Sequence, residues 1–140
     1  MSRTEGMRLQ MTRRGDYAIR AMLTLARQPD QVLSGTQICR QTGIPERFLP
    51  QVMRQLVRAD LAHARIGRHG GYQLGKAAET VCILDIVEAV EGDSRRQRCV
   101  LTGMECDPRA RCQVHAIFAS AQEALLVRLA ESSLASAVQP

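Results

Sequence analysis

At 140 residues, 45% hydrophobic and 24% charged, the chain is long enough for one core, too short for two large domains and too apolar for disorder. The absence of Trp argues against a base-stacking platform, and with no apolar run near the ~18 residues of a membrane span and a polar, basic start, a cytoplasmic protein without a membrane partner is expected. The net charge of +5 is uneven: residues 1–76 hold 13 Lys/Arg against 5 Asp/Glu, whereas residues 77–140 hold 6 against 9, so the first half is the one suited to phosphate.

The first helix is read over 16–27, where Ala18, Ile19, Met22, Leu23 and Ala26 share one face. Ser34 followed by Gln37 is a capping box and starts a second, short helix that stops at Gly43. Pro45 is expected to open a third helix, because proline loses no hydrogen bond at a first helical position. Phe48, Leu49, Val52, Met53 and Leu56 form its apolar stripe, and Arg47, Gln51, Arg54 and Arg58 recur along the opposite side. Two short helices joined at a glycine, the second with a basic outer face, make a helix-turn-helix pattern. Thr36, in the first turn of the second helix, joins the candidate DNA contacts. An ordinary solvated amphipathic helix would look the same on this feature alone.

The next stretch separates the two readings. Leu61 to Arg65 reads as a strand, Gly67 to Gly71 as a turn and Tyr72 to Leu74 as a returning strand, so a hairpin follows the helix directly. Such a wing presents Arg65, Arg68 and His69 at its tip, and an arginine there suits the narrow, negative minor groove. Residues 83–91 read as a helix closed by Gly92, and 93–111 as a polar loop. A long helix is expected from 113 to about 133, with Val114, Ile117, Phe118, Ala121, Leu125 and Leu129 on one side. Little core remains to receive that face, so a homodimer through this helix is expected.

Five cysteines, an odd number without an export signal, do not suggest a disulfide scaffold. Cys39 and Cys82 fall in regular patterns and are read as buried thiols. Cys99, Cys106 and Cys112 fall in or at the edge of that polar loop, which is rich in Arg, Asp and Gly, spaced C-x6-C-x5-C, with His115 following the last as C-x2-H. Three thiolates in one loop can converge on an iron–sulfur cluster or zinc, and the wide gaps favour the cluster. A fourth ligand could be His115 or Asp16. From the residues alone neither is favoured.

These segments together resemble the Rrf-two superfamily of IscR/NsrR-type winged-helix regulators. The resemblance is carried by MRLQMTRRGDYAIRAMLTLA (7–26), GIPERFLPQVMRQLVRADL (43–61), RIGRHGGYQLGK (65–76), ILDIVEAVEGD (83–93), the cysteine trio and CQVHAIF (112–118). It implies a mainly α fold with a two-stranded wing and a dimer on double-stranded operator DNA. Cys99, Cys106 and Cys112 match the family's cluster ligands, His115 the histidine ligand of one branch and Asp16 the aspartate ligand of another, given across the dimer. The histidine pattern implies a 2Fe–2S sensor of cluster supply, set slightly ahead of a 4Fe–4S nitric-oxide sensor, and such a cluster can be lost in air. Ile66 and His69 depart from the family's wing, where an arginine and a glycine are usual. Pro50 is expected inside the third helix, where it could kink it.

The expected organisation is a DNA-binding part over 1–80 and a cysteine-loop and dimerisation part over 81–140. The expected function is a non-enzymatic transcriptional regulator, a repressor with a cluster-controlled operator affinity. The alternatives are the same regulator with zinc or no metal, switched by thiol chemistry or a partner, and a small iron–sulfur carrier without a DNA role.

Overall fold

In the computed structural model, which describes residues 11–92, 104 and 112–139, the first helix begins earlier than the apolar periodicity suggests. The helix α1 spans Arg13–Arg27 because the Thr12 hydroxyl accepts the Gly15 N–H at 3.2 Å and caps it. Its Ala18, Ala21, Met22 and Leu25 are fully buried, while Ile19 and Leu23 lie half-buried at the edge of the core. The helix α2, Gly35–Thr42, is started by the full Ser34–Gln37 capping box and ended by Gly43, whose φ of 76° few other residues adopt without strain.

The helix α3 spans Leu49–Arg58, so Pro45 does not open it. Residues 46–48 form a turn closed by Phe48 N–H on the Pro45 carbonyl at 3.0 Å. This placement puts Pro50 in the first helical turn, where its missing N–H has no partner to lose, and removes the reason for a kink. Leu49, Val52, Met53 and Leu56 are buried as expected, and Phe48 packs at the edge of the core.

The strands β1 (Ala62–Arg65) and β2 (Gly71–Leu74) pair antiparallel, Arg65 opposite Gly71 and Ala62 opposite Leu74. The hairpin is tied to the helical body by Leu33 and Tyr72, which exchange backbone bonds of 2.8 and 2.7 Å. Gly71 permits this close approach, since a Cβ there would collide with the Leu33 carbonyl.

A 3-10 turn at Ala78–Thr80 leads to α4, Ile83–Glu91. The sulfur of Cys82 accepts the Asp85 N–H at 3.4 Å and the Asp85 carboxylate accepts the Cys82 N–H at 3.1 Å, so Cys82 caps α4 rather than simply filling the core. Cys39, like Cys82, is half-buried.

The long helix α5 spans His115–Glu131 and buries no residue. The chain then turns at Ser132 and Ser133 into a further helix, α6, Leu134–Val138. Leu134 N–H bonds the Val81 carbonyl at 2.7 Å and its side chain is fully buried, so one hydrophobic cluster joins α1, α2, α3, α4 and α6. Among the described residues the fold is six helices and one two-stranded antiparallel sheet, a mainly α winged helix-turn-helix.

Candidate nucleic-acid interface and cysteine site

The outer side of α3 exposes Gln51, Arg54 and Arg58 together, as its buried stripe requires. Among the described residues, Arg54, Arg58 and Arg68 have no hydrogen bond or carboxylate partner, which leaves their charge free for phosphate. Arg47 lies in the turn before α3 and not on its helical face. Its guanidinium stacks 4.7 Å from the centre of the Phe48 ring, which in turn lies 5.9 Å from the Tyr17 ring. An arginine is thus held at the N-terminal end of the second helix, the end that reads base edges in helix-turn-helix proteins. Thr36 is exposed in the first turn of α2.

The wing extends the same chemistry. Arg65 donates to Gln73 across the hairpin at 3.3 Å, and Arg68 and His69 are exposed at the tip. Between Leu61 and Ala78 there is no acidic residue. β1 packs directly on α3, so the basic helix face and the basic hairpin belong to one rigid unit.

The second candidate site begins where α4 meets α1. The Thr12 hydroxyl donates to the Glu91 carboxylate, and Arg14 Nη1 donates to the Val90 carbonyl at 3.4 Å. These contacts tie the entry to the 93–111 segment to the start of α1. Sequence reading passed over Thr12 and Glu91; a Thr directly before an Arg-Arg-Gly-Asp helical start was the available signal.

Asp16 lies in the first turn of α1, about half exposed, with Oδ1 accepting from Arg20 Nε at 2.9 Å. The same guanidinium donates through Nη1 to the Thr42 carbonyl at 3.3 Å, at the end of α2. A continuous polar path therefore runs from Asp16 to the turn of the helix-turn-helix.

Cys112 is an exposed free thiol immediately before α5, and its carbonyl accepts the His115 N–H at 3.1 Å. Cys99 and Cys106 lie outside the described residues. Among the described residues no three His, Cys, Asp or Glu side chains come together as a metal site. Cys112, His115 and Asp16 are separate donors at or near the surface, of types that metal centres use. Cys39 and Cys82 are poorer candidates. Burial raises both thiol pKa values, helped at Cys39 by the charge of Glu46, so both stay protonated near neutral pH.

No helix among the described residues is long and apolar enough to cross a membrane. Residues 11–140 match the Rrf2 family, described as iron-dependent transcriptional regulators. The chain is similar to the rrf2-like HTH-type transcriptional regulator of Rhodobacter capsulatus, 30% identical over 78% of this chain and 79% of the relative. It is also similar to protein rrf2 of Nitratidesulfovibrio vulgaris, 30% identical over 91% of this chain and 85% of the relative. Among solved structures, CymR, the global cysteine regulator of B. subtilis, superposes with a TM-score of 0.78 at 21% identity, covering 94% of this chain and 97% of that one. IscR of T. potens superposes with a TM-score of 0.75 at 22% identity, covering 93% and 86%.

Proposed function

Because the chain belongs to the Rrf2 family of transcriptional regulators and is not an enzyme, we propose that it is a cytoplasmic, dimeric repressor whose operator affinity is set by an iron–sulfur cluster on Cys99, Cys106 and Cys112. The observation that carries the DNA-contact part is the free cationic face of α3 beside an acid-free wing. Arg47, Gln51 and Arg54 enter the major groove, Arg58 neutralises a flanking phosphate, and Arg65, Arg68 and His69 follow the backbone or minor groove. Thr36, exposed in the first turn of α2, bonds a phosphate in this reading.

The functional division falls near residue 80, with the region after it devoted to the cysteine loop and the dimer. Dimerisation through α5 rests on its unburied apolar face, with Ile117 67% and Leu125 55% exposed. Two copies related by a two-fold axis would place two α3 helices on half-sites about one turn of DNA apart.

An iron–sulfur cluster would supply a redox-active anionic centre at the loop thiolates, with His115 or Asp16 as the fourth ligand. The chain's own residues carry the coupling. When Asp16 is drawn away, Arg20 loses its carboxylate and its hold on Thr42 is changed, at the end of the helix that positions α3. Both bonds are exposed and individually weak. Yet a tenfold change in operator occupancy needs only about 1.4 kcal/mol.

The test is anaerobic purification, followed by the absorption spectrum and iron, sulfide and zinc content. Visible bands with iron and sulfide that vanish in Cys106→Ala support the reading; a colourless protein with one zinc, or with no metal after reconstitution, overturns the cluster. The DNA face is tested separately. Arg54→Ala should weaken duplex binding by about 1–3 kcal/mol in a gel-shift titration while leaving the spectrum unchanged.

A further inference from the structure

The wing carries one side chain that neither the cysteine site nor the α3 face uses. Ile66 follows the last residue of β1 and is 101% exposed, the most of any large apolar side chain among the described residues. Its surroundings are firm. The β1–β2 register, the Gly70 N–H bond to the Gly67 carbonyl at 3.0 Å and the Leu33–Tyr72 anchor fix the hairpin. A β-branched side chain is stiff at χ1, so Ile66 stands on this hairpin as a short, rigid apolar knob.

A scattered surface isoleucine is ordinary and by itself means nothing. Here its neighbours define the occupant. Arg65, Arg68 and His69 flank it, and no carboxylate lies between Leu61 and Ala78. The partner of such a tip is a polyanion that also offers an apolar slot. Duplex DNA meets both needs, with phosphates at the rim of the minor groove and base faces within it. Isoleucine is among the side chains that can part a base step from that groove, and pyrimidine–purine steps yield most easily.

We propose that Ile66 is a minor-groove wedge: with Arg65 and Arg68 on the flanking phosphates, its side chain enters a pyrimidine–purine step and partly unstacks it. The wedge rests on the DNA-binding reading above and adds sequence preference at a position that no polar side chain reads. An arginine tip would favour stiff, narrow A-tracts; an isoleucine tip selects the opposite, a step that opens.

The experiment uses the full chain and a duplex selected by the protein from a randomised library, with 2-aminopurine walked through the flanks. Unstacking relieves quenching of this base. The expected result is a fluorescence rise at one pyrimidine–purine step per half-site. Ile66→Leu should keep the rise, and Ile66→Ala should lose it with an affinity about fivefold weaker and an unchanged salt slope. A rise that persists in Ile66→Ala, or no rise anywhere while the wild type binds tightly, overturns the wedge and leaves DNA binding standing. Absence of any salt-sensitive duplex binding by the wild type overturns both.

Discussion

The helices α1 and α5 are nearly equal in length, 15 and 17 residues, and opposite in what they bury. α1 hides Ala18, Ala21, Met22, Leu25 and Ala26 in the core, along with Gly15 and Thr24. α5 hides nothing, although it carries Ile117, Phe118, Leu125, Leu126, Val127 and Leu129. Both sequences suffice for an apolar helix. The difference lies in where the complementary surface is: α1 finds it on α3, α4 and α6 of its own chain, whereas among the described residues α5 packs mainly against α4 and leaves its apolar side chains uncovered. Exposed apolar area of this extent is a reservoir of about 25 cal/mol per Å2 for a partner that covers it.

The largest expected effect tests that contrast directly. Ile117→Glu combined with Leu125→Glu places charges on each copy of α5 and should leave the monomer folded by circular dichroism, since neither side chain is buried. Light scattering at micromolar concentration should then report a monomer. Operator affinity should fall by about 100-fold or more, because each chain holds one half-site without its linked partner. A double variant that keeps a dimeric mass would break the comparison.

Truncations sharpen it further. Leu25→Ala in α1 removes a fully buried side chain and should cost about 2–5 kcal/mol, read as a lower melting temperature. Leu125→Ala in α5 should leave the intrachain fold nearly untouched. Its melting temperature should instead fall more steeply on dilution than the wild type's, as expected when stability is linked to association. A dilution-independent melt for both wild type and Leu125→Ala would remove α5 from the interface.

The contrast also separates what was legible in the sequence from what was not. The Ser34–Gln37 box, Gly43 and the hairpin could be read because each depends on one or two residues with a specific local preference. The start of α3 could not, since Pro45 and Pro50 are both acceptable in a first turn; the Phe48–Tyr17 contact and the burial of Leu49 accompany the later start. α6 was missed because it is short and owes its place to Leu134 and a backbone bond to Val81, a tertiary cause. The role of Cys82 was missed for a similar reason: a thiol cap is rare beside Ser, Thr, Asp or Asn. The cysteine spacing was plain, yet Cys99 and Cys106 fall outside the described residues, and the described candidates Cys112, His115 and Asp16 do not by themselves form a metal-holding group.

The smallest expected effect on the fold tests whether α1 serves only its own chain. Asp16 favours the positive end of α1 and pairs with Arg20, both at the surface. Asp16→Asn should therefore cost no more than about 1 kcal/mol of stability. Iron content and spectrum of the anaerobic protein carry the information instead. If Asp16 completes the cluster site, Asp16→Asn lowers iron per chain or shifts the absorption bands, and His115→Ala does neither. If His115 completes it, the outcomes exchange, and Asp16 keeps only its capping and Arg20-holding role. In the first case the loss should also follow subunit dissociation, because an aspartate given across the dimer leaves when its chain leaves. The α5 double variant would then lose iron at full fold, joining the buried helix and the bare one in a single interface.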